Sequence, residues 1–142
     1  MSHVTTIDCE ENYDVKSLKQ MCRDMAWEFI EGKTTYKWWG SHVGDYPVPE
    51  GFQVEDMGKC QHAIKIPGAS YEIGVTTDRN GKLRLLWDFY STGGLQRKLG
   101  EKAGKLKQAY RIAKVKTTAR SKGFQFWTKP EKNGWKKIYI KI

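Results

Sequence analysis

Cys60 and His62 are the first residues whose types and spacing could do chemistry. On an extended strand positions i and i+2 share a face, so a thiolate and an imidazole two apart can converge on one ion. Cys9, Cys22, His3 and His42 are further soft donors. Structural zinc wants four ligands at characteristic spacing, and nothing supplies a second pair, so no metal and no cofactor is expected. Nucleophilic catalysis finds no support: G-x-S-x-G is absent, and the Cys and His residues are scattered without an orienting motif. Ser91-Thr92-Gly93-Gly94 stands before a helix, whose N-terminus favours anions. It lacks Walker spacing, and a helix cap with a tight turn describes it better. Asp88, inside an apolar strand, is expected to lie near a sheet end or to be hydrogen-bonded, and it is the one carboxylate to inspect for acid–base work. With no catalytic residue assigned, the chain reads as non-enzymatic.

Charge points to binding instead. The net charge is +9, split into −4 over residues 1–71 and +13 over 72–142. Ten Lys/Arg lie between Arg97 and Lys122 against one acid, Glu101. That asymmetry suits an acidic partner or a polyanion, although lysines also simply keep small domains soluble. The leading expectation is an accessory or regulatory protein that contacts an acidic protein or complex through this basic segment, with Arg97, Lys105, Lys107, Arg111 and Lys114 as binding candidates. The alternative is an RNA- or single-stranded-DNA-binding protein. Trp127, Trp135, Lys137, Tyr139 and Lys141 interleave aromatics, which stack on bases, with cations, which neutralise phosphate. Trp38 and Trp39 are candidates for a binding flap, but a lid over the domain's own core explains them better, because large exposed apolar patches are rare on monomers.

The elements that must position these residues follow from periodicity. The 142 residues form one domain, 1–142, with a Gly-, Pro- and aromatic-rich insert at about 33–59. His3 to Asp8 reads as a short strand. Asp14 caps a helix whose apolar face is Val15, Leu18, Cys22, Met25 and Phe29, stopped by Gly32; Tyr13 and Leu18 sit at staple spacing. Cys22, Met21 and Met25 read as core. The insert has no clean period; Tyr36–Trp39 or Gly51–Glu55 could form a short strand. Strands follow at Cys60–Ile66, Tyr71–Thr77 and Leu83–Tyr90, the last two joined at Asn80-Gly81, the dipeptide of a type I′ turn. In the second of these Tyr71, Ile73 and Val75 face one way and Glu72, Gly74 and Thr76 the other; in the third Leu83, Leu85, Trp87 and Phe89 share one face and Arg84, Leu86, Asp88 and Tyr90 the other. In the basic helix Leu95, Leu99, Ala103, Leu106, Tyr110, Ala113 and Thr117 form one stripe. Gly100 and Gly104 divide it into a helix at 93–99 and a longer one from about Glu101. Gln108, Ile112, Val115 and Ala119 make a second stripe, to be covered by the insert or a partner. Phe124–Lys129 and Trp135–Ile142 close the chain as a hairpin around Asn133-Gly134.

This order predicts an α+β fold: a two-layer sandwich of mainly antiparallel sheet and two helices, ferredoxin-like in flavour, with strand order open. At MSHVTTI, YEIGV, LLWDFY and GKLKQAYRIAKVKTTARSKGF the chain resembles the hypothetical plastid reading-frame-35 family of small proteins from algal plastids, cyanobacteria and other bacteria. The resemblance covers the first strand and about residues 70–142. It implies a soluble cytoplasmic or stromal protein and adds no catalytic residue. The odd cysteine count, the lack of a secretory leader and the lack of a membrane-length apolar run fit the same location.

Overall fold

The computed structural model describes residues 3–42, 44, 46–131 and 136–141. Its frame is a five-stranded antiparallel sheet in the order β1-β5-β4-β3-β2, from β1 (Val4–Thr6), β2 (Glu28–Glu31), β3 (His62–Lys65), β4 (Ile73–Thr77) and β5 (Leu83–Asp88). The α+β class and the mainly antiparallel sheet are as expected. The order itself is set by α1 (Val15–Met25), which carries the chain from one edge strand, β1, to the other, β2. The last two strands, β6 (Gln125–Pro130) and β7 (Lys136–Lys141), do not join this sheet and form a ribbon of their own.

Helices cover one face. Ile64, Ile73, Val75, Leu85 and Trp87 meet Leu18, Met21 and Cys22 of α1 and the stripe from Leu95 to Ala113, all buried. The predicted stripe is therefore the real seam, and Leu99, Leu106 and Tyr110 are fully buried. It is interrupted as the glycines suggested: α2 (Leu95–Leu99) ends at Gly100, a short turn follows, and α3 runs Gly104–Ser121. Gly100, Lys102 and Ala103 all have positive φ, which reorients the chain while keeping Ala103 in the core.

α1 is shorter than its pattern. Asp14 caps it, accepting from the Ser17 amide at 2.7 Å, and Tyr13 packs against the cluster containing Leu18. Ala26 then turns left-handed (φ 58°) and the helix ends at Met25 rather than Gly32. Phe29 belongs to strand β2, opposite Ile64. Its four-residue spacing from Met25 continued the helical period by coincidence, and Met25 itself is exposed.

The insert covers the opposite face of the sheet. Tyr36, Phe52, Met57 and Cys60 form a second buried cluster with Val4, Ala63 and Leu86, and Trp38 and Val48 pack against it. This is the lid expected from its aromatics, with no strand at Tyr36–Trp39 or Gly51–Glu55: among the described residues its regular structure is one bridge, Thr35 to Lys59, and a short turn at Val54–Asp56. Gly74 explains how the lid sits so close. A Cβ there would lie 2.3 Å from the Tyr36 ring, so the bare strand is the seat of that ring. The Asn80-Gly81 connection also differs from expectation. Gly81 has positive φ but Asn80 does not, and Asp78 pairs with Lys82 around a three-residue turn. The Asp78 carboxylate imposes it by accepting from the amides of Asn80 (2.9 Å) and Lys82 (3.1 Å).

Candidate nucleic-acid interface

The C-terminal ribbon is built by alternation in both strands. Gly123 (φ 74°) ends α3, and the Phe124 amide bonds back to Ala119 O at 2.8 Å, turning the chain into β6. In the ribbon Trp127 lies opposite Tyr139, Phe126 opposite Ile140, and Lys129 opposite Lys137. Phe126, Thr128, Ile138 and Ile140 thus share one face, and Gln125, Trp127, Lys129, Lys137, Tyr139 and Lys141 the other. The first face is the one toward α3, where the Arg120 guanidinium sits 5.1 Å over the Phe126 ring.

The second face is solvent-facing and aromatic. Trp127 and Tyr139 stack with centroids 5.5 Å apart and planes 11° from parallel. Trp127 nevertheless remains 48% exposed and Tyr139 37%. The Lys129 ammonium stands 5.6 Å from the Tyr139 centroid. Lys137 and Lys141 flank the pair in register, and among the described residues the acid paired with them is Glu131, 3.5 Å from Lys137 in an exposed ion pair. Such a surface presents π-faces to a flat ring and ammonium groups to its phosphates. Lys129 was missed by sequence reasoning, although its place diagonal to Tyr139 follows once the register is known. Trp135 and the Asn133-Gly134 turn lie outside the described residues.

The helix candidates separate into two groups. Lys114 bonds the Asp14 carboxylate, and Lys116 bonds Asp24 at 2.9 Å, so this shoulder of α3 is neutralised by α1. Lys105, Lys107, Arg111 and Lys122 have no carboxylate partner among the described residues; Lys105, Arg111 and Lys122 are exposed and Lys107 is half-buried. Arg97 stands on α2 and reaches Gly68 O at 3.4 Å, which places it with the 68–71 turn and not beside the ribbon. Val115 and Ala119 of the second stripe, expected to be covered by the insert or a partner, line a groove with Phe124 and Ile140 beside the ribbon.

Trp38 and Trp39 also part company. A Cβ on Gly58 would be 2.4 Å from the Trp38 indole nitrogen, so Trp38 closes directly on that glycine as part of the lid. Trp39 is 45% exposed, its ring edge-on to Tyr90 at 5.9 Å.

The residues weighed for chemistry turn out to hold the fold together. Asp88 is fully buried and accepts from three backbone amides: His3 (3.0 Å) and Tyr90 (3.1 Å) on one oxygen, Trp39 (3.0 Å) on the other. It ties β1, the insert and the end of β5 together. Glu72, also buried, grips the insert through the Lys33 ammonium (2.7 Å) and the Lys37 amide (3.0 Å). Cys60 donates to Lys33 O at 3.2 Å, and burial pushes its thiol up to about 11, far from thiolate character at neutral pH. His62 accepts the Gly32 amide on Nδ1 at 3.0 Å. No three His, Cys, Asp or Glu side chains cluster as a metal site among the described residues. In the Ser91–Gly94 turn, a Cβ on Gly93 would fall 2.0 Å from the Tyr71 ring, and Gly93 O accepts the Ser70 and Tyr71 amides. Those glycines serve packing and turn geometry.

No helix among the described residues is long and apolar enough to cross a membrane. No family model, no curated protein and no solved structure matches this chain.

Proposed function

We propose that the protein is a non-enzymatic binder of single-stranded RNA or DNA, which it takes on the outward face of the β6–β7 ribbon. The observation that carries this reading is the stacked, half-exposed Trp127–Tyr139 pair among Lys129, Lys137 and Lys141. Aromatic side chains left in water cost stability unless something flat covers them, and base–aromatic stacking is worth about 1–3 kcal/mol per base. Three lysines on one face supply the sequence-independent phosphate term. The three unpaired cysteines suit a reducing compartment such as cytoplasm or plastid stroma.

The test is fluorescence anisotropy with a labelled oligothymidylate or oligouridylate under a salt titration. Three phosphate contacts on a single strand predict a log–log slope near −2, about a twentyfold loss from 50 to 200 mM salt. Trp127→Ala should weaken binding by about tenfold or more. No binding at low salt, or a Trp127→Ala protein that binds like the parent, overturns the proposal.

A second reading, an acidic protein partner on the basic helix, is favoured by the unpaired cations Lys105, Lys107, Arg111 and Lys122 on α3, with Lys114 set apart by its pairing to Asp14.

A further inference from the structure

The two faces of the ribbon differ in kind. The outer one is aromatic and cationic; the one toward α3 carries Phe126, Thr128, Ile138 and Ile140. Between the ribbon and α3 runs a groove of about 300 Å³, floored by Val115, Ala119, Phe124 and Ile140 with Thr118 beside them. Ile140 is 44% exposed there although its strand partner Phe126 is covered by Arg120. Along α3, Arg111, Val115, Thr118 and Lys122 fall on one strip, about 16 Å from end to end at 1.5 Å per residue, with a cation at each end and small or apolar groups between.

We propose that this groove docks an acidic amphipathic helix of a partner protein, its apolar anchors on Val115 and Ile140 and its carboxylates on Arg111 and Lys122. The proposal rests on the second reading above and gives it a location. Charge supports it: Arg111 and Lys122 have no carboxylate partner among the described residues, Lys114 on the rim is neutralised by Asp14, and the one acid lining the groove is Glu11. The floor is mainly aliphatic, with Phe124 its one ring, and offers apolar side chains of a peptide shape and burial. Anchors at i, i+3 or i+4 and i+7 are how a helix fills such a groove.

The probe is a labelled peptide of about sixteen residues, long enough for four helical turns. It carries Leu at those anchor positions and Glu or Gln elsewhere, and a scrambled peptide of the same composition is the control. The patterned peptide should bind at least about tenfold tighter than the scrambled one. Val115→Arg, which fills the groove without removing positive charge, should abolish that preference and leave oligonucleotide binding on the outer face intact. Ile140→Lys, at an exposed position, should do the same, so the result does not depend on one variant folding; circular dichroism reports each fold. Equal binding of both peptides overturns the groove and leaves the acidic-partner reading standing. A preference that survives both substitutions also overturns the location. Binding of neither peptide overturns the groove and the acidic-partner reading together.

Discussion

Replacing Asp88 by Asn tests whether a buried carboxylate is what holds the lid and the N-terminal strand to the sheet. In the native protein one oxygen accepts the His3 and Tyr90 amides and the other accepts the Trp39 amide, all at 3.0–3.1 Å. Asparagine keeps an acceptor for the first two and turns an NH2 donor toward the third. The change removes one charge-assisted bond, worth about 1.5–3 kcal/mol, and sets donor against donor at a fully buried position. The other two bonds weaken from charged to neutral. A loss of about 3 kcal/mol follows, which for a chain of this size lowers Tm by about 8–12 °C. Asp88→Ala leaves three amides without an acceptor, and at about 1–3 kcal/mol each the loss approaches 5 kcal/mol. Thermal unfolding gives the magnitude, and amide hydrogen exchange gives the place: protection should fall first around His3, Trp39 and Tyr90, while β3, β4 and the ribbon keep theirs. An Asp88→Asn protein within about 1 °C of the parent would refute the reasoning. Exchange that rises evenly along the chain would refute it equally.

Gly74→Ala should lower stability by about 3 kcal/mol, because the new Cβ meets the Tyr36 ring at 2.3 Å and must displace it from the second core. Elsewhere in a strand the same change gains stability, so an unaltered or raised Tm would show that Tyr36 does not sit on the sheet as described. Acid should unfold the protein through three carboxylates. Burial opposes the ionisation of Asp14, Glu72 and Asp78 and is outweighed, at Asp14 by Lys114 and Ser17, at Glu72 by Lys33 and the Lys37 amide, and at Asp78 by the Lys82 amide and Arg84. Their folded pKa values lie below the unfolded ones, so their contribution is present above about pH 5 and is lost as pH falls through about 4 and below. Denaturant titrations from pH 7 to pH 3 should show that decline, with Glu72→Gln flattening part of it; stability that rises toward acid would contradict the sign.

Each strand's own two faces could be read from the sequence, because alternation within a strand does not depend on register: Ile73 falls with Val75, and Leu85 with Trp87. Which face of β5 joins which face of β4 depends on the turn between them. The turns could not be read in the same way. Asn80-Gly81 names a two-residue turn, yet Asp78 competes for the Asn80 and Lys82 amides and makes it a three-residue one. Register decides the ribbon as well, where the strands pair Trp127 with Tyr139 and Phe126 with Ile140. One residue of slip exchanges every partner across the ladder, and with it the stacked pair. Phe29 was misread for a related reason: a single apolar residue satisfies a helical period and a strand period alike, and the left-handed turn at Ala26, where no glycine marks it, settles the matter. Lys114 was counted as a binding cation because its partner, Asp14, lies a hundred residues away and no local pattern connects them.

Where function can reside is narrowed by what the core already occupies. Helices fill one face of the five-stranded sheet and the insert fills the other, with Asp88 and Glu72 fastening it through backbone amides and Lys33. The sheet therefore offers no open face to a ligand. Among the described residues the exposed large apolar side chains are Met25, Trp39, Val54, Trp127, Tyr139 and Ile140, and half of them stand on the twelve residues of the ribbon. An isolated two-stranded ribbon is marginal in water and would gain by burying such groups. Here the aromatics face outward between lysines and the isoleucine faces a cation-rimmed groove, an arrangement that packing alone does not call for. A ligand on each face would supply the missing burial, with stacking and phosphate neutralisation outside and an apolar anchor inside. Covering the two faces is thus separable by experiment: an oligonucleotide should protect the Trp127 indole from quenching by iodide while leaving the amides of Val115 and Ile140 to exchange as before.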